Sequence, residues 1–424
     1  MLRHSVFTAA LCLVMAGALP AAAQFELHGF MEATGGVRVQ DVGPPPASWG
    51  NPGVLPPVWS RGQDYTLREA RLQLKSDFYG SAAEAHFVAD ILVDQVVSNG
   101  TSIILREGWT KFNAFGDHME VRVGRQPTTW GTGDLLFIND LFPKDYVSFF
   151  IGREAQYLKS PSDVVRLGWF GLPLDVDLVY TPIFAPNILP NGERLVFWTP
   201  FYAPVQDPEQ MLENGETALR LSRAIGRVNL SFYGYWGFWK NPYGFSPADT
   251  SVAGSMPYFY YPSLNVYGAS ARGGLLGGVG WIEGGWYDSA DDRDGVNPTI
   301  PNSEMRAMAG YERQWWSDFT GGLQFYWEGV QNYHSREYVK DENYTLLTLR
   351  LMQMLRYQTV KLSAFTFYSP SDEDAYIRLA AGYDYTDEVN LTLGANLFQG
   401  NDERTLFGMN EDNSNVFLRV RYSF

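Results

Sequence analysis

The chain predicts an all-β fold, a transmembrane antiparallel up-and-down β-barrel of about 18 strands, with 16 as the lower count. Three observations carry that expectation. Segments of about 9 to 16 residues alternate apolar and polar side chains with period 2, the length a tilted membrane strand needs. Short turn-forming stretches alternate with long ones rich in Pro, Gly, Asn and Asp. Finally, 13 Trp, 25 Tyr and 27 Phe in 424 residues supply the aromatic girdles that a membrane barrel places at both interfaces.

At the start of the chain, Arg3 and His4 precede an apolar run over residues 6–19, which ends at Pro20 and Ala21-Ala22-Ala23. This is the pattern of a secretory signal peptide spanning 1–23, with a single barrel domain expected over 24–424. The apolar run is too short for a membrane helix, which needs about 20 residues. Cys12, the only cysteine, lies inside the segment that would be removed, so disulfides and cysteine-ligated metal are excluded from the mature chain. The formal charge of −15 gives no basic footprint for nucleic acid.

Strand faces follow from alternation. Over 68–76, Ala70, Leu72 and Leu74 oppose Glu69, Arg71, Gln73 and Lys75; over 83–94, Phe87, Ala89, Ile91 and Val93 oppose Glu84, His86 and Asp90. Over 374–386, Ile377, Leu379 and Ala381 oppose Arg378 and Gly382; over 387–398, Leu391 and Leu393 oppose Asn390 and Thr392. Eight short turns, near 79–81, 115–117, 171–173, 225–226, 276–277, 316–318, 358–359 and 386–387, alternate with nine longer connections. An even strand number returns both termini to one side, which makes the short turns periplasmic and the long loops extracellular. The last strand places Val416, Leu418, Val420, Tyr422 and Phe424 on one face and Phe417, Arg419, Arg421 and Ser423 on the other. A final strand closing on Phe424 resembles the assembly signal of bacterial outer-membrane β-barrels. That resemblance implies two partners, the barrel-assembly machinery and outer-membrane lipid, and a location in the outer membrane of a Gram-negative bacterium.

One stretch is motif-like: Gly124, Arg125, Gln126, Pro127, then Trp130 and Gly131, followed by Asp140-Leu141-Phe142-Pro143-Lys144-Asp145. It resembles porin-like outer-membrane proteins of the alginate-export type and their uncharacterised relatives, over about 25 residues. The resemblance implies a substrate-conducting pore, in that family for an anionic polysaccharide. Alternation turns Arg71, Arg122, Arg166, Arg220, Arg306, Arg350, Arg378 and Arg419 inward as pore-lining candidates, together with Glu120, Glu304 and Glu312. Mixed signs imply that many of these brace one another as ion pairs, and a pore of balanced charge passes small polar or zwitterionic solutes as readily as anions.

Loop 131–162 is too apolar for open water, carrying Leu135, Leu136, Phe137, Ile138, Leu141, Phe142, Val147, Phe149, Phe150 and Ile151. Folding inward would cover these and set Asp134, Asp140, Lys144, Asp145 and Arg153 across the lumen as a constriction.

The expected function is therefore a porin-like channel for passive passage or export of a polar or anionic solute, with saccharide among the candidates. A scaffold barrel around a periplasmic partner such as a multihaem cytochrome is the alternative. An outer-membrane enzyme ranks lower, because no H-E-x-x-H or G-x-S-x-G occurs. No cofactor is expected, and the carboxylates of Asp288, Asp291, Asp292 and Asp294 lack the full calcium-loop pattern. The solute, the direction of transport and the oligomeric state are not readable from the sequence.

Overall fold

The computed structural model describes residues 24–40, 64–115, 118–171, 173–196, 203–248, 251, 255–334, 341–402 and 404–424. The expected signal segment 1–23 and parts of several connections lie outside the described residues. The first seven barrel strands are β1 (Gln24–Arg38), β2 (Tyr65–Tyr79), β3 (Ala83–Asp94), β4 (Thr101–Ala114), β5 (Met119–Gln126), β6 (Ser162–Trp169) and β7 (Asp175–Thr181). After the two-residue β8 (Val205–Gln206) the wall continues with β9 (Glu216–Ile225) and β10 (Val228–Phe238). Two further short strands, β11 (Gly244–Ser246) and β12 (Tyr258–Tyr260), precede β13 (Ser263–Leu275), β14 (Gly278–Ser289), β15 (Glu304–Trp316) and β16 (Phe319–Val330). The wall ends with β17 (Asn343–Leu355), β18 (Val360–Ser369), β19 (Asp374–Asp384), β20 (Val389–Gln399) and β21 (Asn415–Ser423).

Eighteen of these strands form one sheet in which each pairs antiparallel with its neighbours in sequence, and β1 pairs with β21 to close the ring. Closure removes every sheet edge, the condition for spanning a bilayer with strands. The seam runs in register from Phe30↔Ser423 to Arg38↔Asn415, and Gly29 and Phe424 exchange two backbone hydrogen bonds of 3.0 Å. Short and longer connections alternate around the ring, except that 370–373 between β18 and β19 is as short as the turns, so all long loops gather at one end.

The outer wall is what hydrocarbon requires. Mid-strand side chains such as Met31, Ile91, Ile282, Leu323, Leu349, Leu379 and Leu393 point out, with Ile282 61% and Leu393 59% exposed. Aromatic rings flank that band. Tyr79, Trp315, Trp316, Tyr383, Tyr385 and Tyr422 lie exposed toward the short-turn end, while Trp236, Tyr267, Trp286 and Tyr368 lie exposed toward the long-loop end. With an apolar belt between two aromatic girdles and a closed antiparallel ring, the protein is a transmembrane β-barrel of 18 strands. Among the described residues no helix is long and apolar enough to cross a membrane.

The core lies inside the barrel. Inward residues Leu67, Val164, Val179, Tyr233, Val266, Tyr287, Met308, Tyr326, Phe367, Tyr376, Phe398 and Phe417 form one buried cluster with Trp130, Leu136, Ile138, Phe142, Phe149, Phe150, Ile151 and Leu158 of the connection between β5 and β6.

Leu379 lies mid-strand on the outer face, and Gly382, three residues on, faces an interior where an added Cβ meets nothing nearer than 3.8 Å. Leu379→Arg should therefore cost about 2–4 kcal/mol of membrane-folded stability, and Gly382→Arg much less. Denaturant titration of the heat-modifiable folded form checks this; equal effects would refute the face assignment.

Candidate functional site

The site is built by the connection 127–161, whose direction is set at the end of β5. Gly124 has φ +130°, and a Cβ there would lie 2.2 Å from the Gly108 carbonyl oxygen, so only glycine lets β5 pass β4 so closely. Arg125 then ties the strand end to the wall, donating from Nε to the Leu105 carbonyl at 2.9 Å and from Nη1 to Asp163 at 3.3 Å. Gln126 is buried, and Pro127 cannot donate a further ladder bond. The chain therefore leaves the wall and turns inward. Trp130 packs edge-on against Phe142, with ring centroids 5.1 Å apart, and its indole donates to Asp177 at 3.2 Å. The motif residues Gly124, Arg125, Gln126, Trp130 and Gly131 are thus the root of an inserted loop.

Glu283 on β14 anchors the far side. One carboxylate oxygen accepts from the Thr132 backbone N–H at 2.5 Å and hydroxyl at 2.7 Å; the other accepts from the Asn139 backbone and side-chain amides, each at 2.9 Å. The loop can come this close because β13 carries Gly268, where a Cβ would fall 1.8 Å from Asn139 Oδ1. Gln324 on β16 exchanges hydrogen bonds with the Asp134 backbone at 2.8 and 2.9 Å, and the Tyr287 hydroxyl donates to the Ile138 carbonyl.

The chain then crosses toward β19–β21. Asp145 caps a short helix, α1 (Tyr146–Phe150), accepting from the Ser148 N–H at 2.8 Å. Phe149 and Phe150 pack edge-on against Phe367, Tyr376 and Phe398, and the Tyr376 hydroxyl donates to the Phe149 carbonyl at 2.9 Å. Arg153 pairs with Glu69 of β2, and Arg419 of β21 donates to the Gly152 carbonyl at 3.0 Å. A second helical turn, α2 (Ala155–Leu158), ends under Arg106 of β4, which donates to the Gln156 and Lys159 carbonyls. Anchors on β2, β4, β7, β14, β16, β19 and β21 show that the loop spans the lumen.

A second connection lies against it. Ile188 exchanges backbone hydrogen bonds with Lys144 and Tyr146 at 2.8 and 2.9 Å, and Arg194 reaches Asp94, Glu69 and the Thr66 carbonyl on the β2–β3 wall.

The sequence-derived constriction set separates into two kinds of residue. Asp140 and Lys144 are a buried pair at 2.8 Å, with side chains 1% and 3% exposed; Thr129 also donates to Asp140, and Lys144 to the Phe142 carbonyl. Burial pushes the Lys144 ammonium below its ordinary range, against the pull of Asp140. Asp145 is spent on the helix cap, and Arg153 on Glu69. These four hold the loop. Asp134 alone of the five stands open to the lumen, paired with Arg350 at 2.7 Å.

The pore-lining candidates divide likewise. Arg71 pairs with Asp90, Arg306 with Glu304 and Glu328, and Arg419 with Glu32; Arg378 donates to the Arg153 carbonyl at 3.4 Å. Buried or turned to the loop, these brace the wall. Arg122, Arg166, Arg220 and Arg350, with Glu120 and Glu312, keep solvent contact.

Three of them form a row with a residue that face assignment did not single out. Lys111 of β4 is in register with Arg122 of β5, which is in register with Arg166 of β6; Arg220 follows on β9. Like charges directly opposed across strands destabilise a sheet. The row is offset by Glu84 on Lys111 at 2.8 Å, Glu120 on Arg122 at 3.1 Å, and Asp177, which takes both Arg166 at 2.7 Å and Arg220 at 3.1 Å. Four cations face three carboxylates, leaving one positive charge over. Alternation turns Asp177 and Glu283 inward as well, but nothing in the sequence marks them, or Gln324 and Tyr376, as partners of the loop. Their signal was weak, since a lone inward polar group on a strand looks the same whether it meets water or a loop.

Among the described residues no group of His, Cys, Asp and Glu is placed to hold a metal ion, and Asp288 of the acidic loop is occupied by Arg293 at 3.0 Å.

No protein-family model matches the chain, and no curated protein matches it. Among solved structures it is similar to a triple mutant of the Rh. blastica porin, at 13% identity and TM-score 0.43, and to a loop-deletion mutant of OmpT, an outer membrane protein of Vibrio cholerae, at 9% identity and TM-score 0.44. A structure described as showing asymmetric conductivity of engineered proteins is similar at 15% identity and TM-score 0.42. Each comparison covers 95% of this chain and 100% of the other.

Lys144→Met leaves Asp140 buried without its cation and should cost about 3–5 kcal/mol locally. Limited proteolysis should then cut within 127–161 of an otherwise folded barrel, and Lys144→Met combined with Asp140→Leu should recover much of the protection. Unchanged proteolysis of the single variant would show that the pair does not hold the loop.

Proposed function

We propose that the protein is a passive channel of a Gram-negative outer membrane, taking small polar solutes with a preference for anionic ones. The observation that carries the preference is the in-register row of Lys111, Arg122 and Arg166 continued by Arg220, with one positive charge in excess of its carboxylates. A like-charge row costs stability, and an anionic group passing over it relieves that cost. The inserted loop supports selective rather than bulk passage, because it narrows the lumen without removing the row's contact with solvent. The cargo implied by the alginate-export resemblance, an anionic saccharide, is the finer form of this reading. A barrel wrapped around a periplasmic partner is disfavoured by the same loop, which occupies the space the partner would need.

The test is planar-bilayer conductance with reversal potentials across a salt gradient. The intact barrel should conduct and favour anions, and Arg122→Gln, Arg166→Gln and Arg220→Gln together should abolish most of that preference without loss of folding. Shortening 134–153 should raise single-channel conductance. A folded barrel that conducts nothing would sink the channel reading, while conduction with a selectivity indifferent to the row would sink only the anion preference.

A further inference from the structure

The long-loop end carries a cleft that the lumen reading does not use. The connections on either side of β9 and β10 build a separate three-stranded sheet: β11 pairs antiparallel with β12, and β12 pairs parallel with β8. Beside it opens a cleft of ≈ 490 Å³. Five aromatic rings line it: Phe238, Phe245, Tyr258, Tyr260 and Tyr261. So do five hydrogen-bonding side chains, Gln206, Asp207, Asn214, Ser246 and Thr299.

The chemistry of this lining narrows the ligand. Among the described residues the lining holds one carboxylate, Asp207, and no cationic side chain, so it offers an anion no partner. Burial, with Asp291 nearby, pushes the Tyr260 phenol up, and burial together with Asp207 pushes the Tyr261 phenol up to about 12. Asn214 already donates to the Glu209 carbonyl at 2.9 Å and the Thr299 hydroxyl to Asn297 at 2.8 Å. A purely apolar ligand would still leave Gln206, Asp207 and Ser246 facing it without use. A compact organic cation would employ the carboxylate and the rings but leave the Gln206 amide and the Ser246 hydroxyl idle. A ligand with apolar C–H faces and hydroxyls around its edge uses both halves, stacking on the rings while its diols bond the Gln206 amide and the Asp207 carboxylate. The volume lies in the range of ligand pockets, roughly 300–1,000 Å³.

We infer that the cleft is a binding site for an uncharged oligosaccharide of two or three units. It is distinct from the lumen row in position and opposite to it in charge, and binding there can be measured whether or not the barrel conducts.

The test is calorimetric titration of the full-length barrel in a zwitterionic, sugar-free detergent with maltotriose, cellotriose and laminaritriose, and separately with choline. Saturable binding of at least one trisaccharide is expected, weakened about tenfold or more by Tyr258→Ala and by Asp207→Ala. Both variants should keep the heat-modifiable folded form and wild-type conductance. If either misfolds, competition between the bound trisaccharide and modification of Cys placed at Ser246 reports occupancy of the same cleft. Failure of all three trisaccharides to bind overturns the proposal. So does saccharide binding that neither substitution nor the Cys probe links to the cleft, or binding of choline alone.

Discussion

A carboxylate facing the interior of a membrane barrel must find donors, and Glu283 finds four on one loop. That clasp couples two problems the chain has to solve together. Residues 135–151 carry more apolar surface than a water-facing loop can expose, and the inner wall of an 18-stranded barrel has more inward surface than its own side chains can cover. Bringing the loop inside answers both. Apolar wall positions such as Tyr376, Phe367 and Phe398 receive Phe149 and Phe150, and the polar ones, Glu283, Gln324 and Asp177, receive backbone amides and an indole. The lumen therefore holds a folded core, beside which Arg122, Arg166 and Arg220 keep solvent contact.

Much of the architecture was legible in the chain because a barrel repeats one rule. The inward or outward sense of Leu379, Leu393, Leu418 and Arg419 depends only on period 2, and the 18-strand count depends only on the alternation of short and long connections. The apolar excess of the loop was equally local, since it is a sum over neighbours in sequence. Partnership was not local. Asp140 and Asp145 have the same composition as a lumen-exposed acid such as Asp134. What separates them is Lys144 four residues on from Asp140, Ser148 at a helix cap, and Arg350 more than two hundred residues on. Lys111 escaped notice for a related reason, because its place in the row comes from register with Arg122 across a hairpin. The small sheet of β8, β11 and β12 escaped because strands of two or three residues carry no readable period.

The motif around Gly124 shows how a short pattern acquires physical content. Its glycine is required by the Gly108 carbonyl, its arginine secures the strand end, its proline ends the ladder, and its tryptophan is the first side chain of the loop to lodge inside. Each residue serves the same event, the departure of the chain from the wall toward the lumen. A G-R-Q-P-x-x-W-G pattern therefore speaks about loop insertion directly and about cargo only at second hand.

Conduction sets an upper limit on how strongly the row may hold an anion, since a site that binds too well releases too slowly. In the proposed channel Asp177 would supply that limit. It accepts from Arg166, Arg220 and Trp130 at once, so two guanidiniums of the row are each half satisfied before any solute arrives. The pairs also fix the geometry: Arg220 stays 5.6 Å from the Trp130 ring centroid, and Arg122 is held 4.3 Å from that of Trp109. In the proposed anion channel such pre-pairing would lower affinity while keeping the donors oriented, because a passing carboxylate would exchange with an existing partner and need not order a free side chain. The carboxylates on the wall are thus compatible with the proposed anion path, in which they would keep the row from becoming a trap.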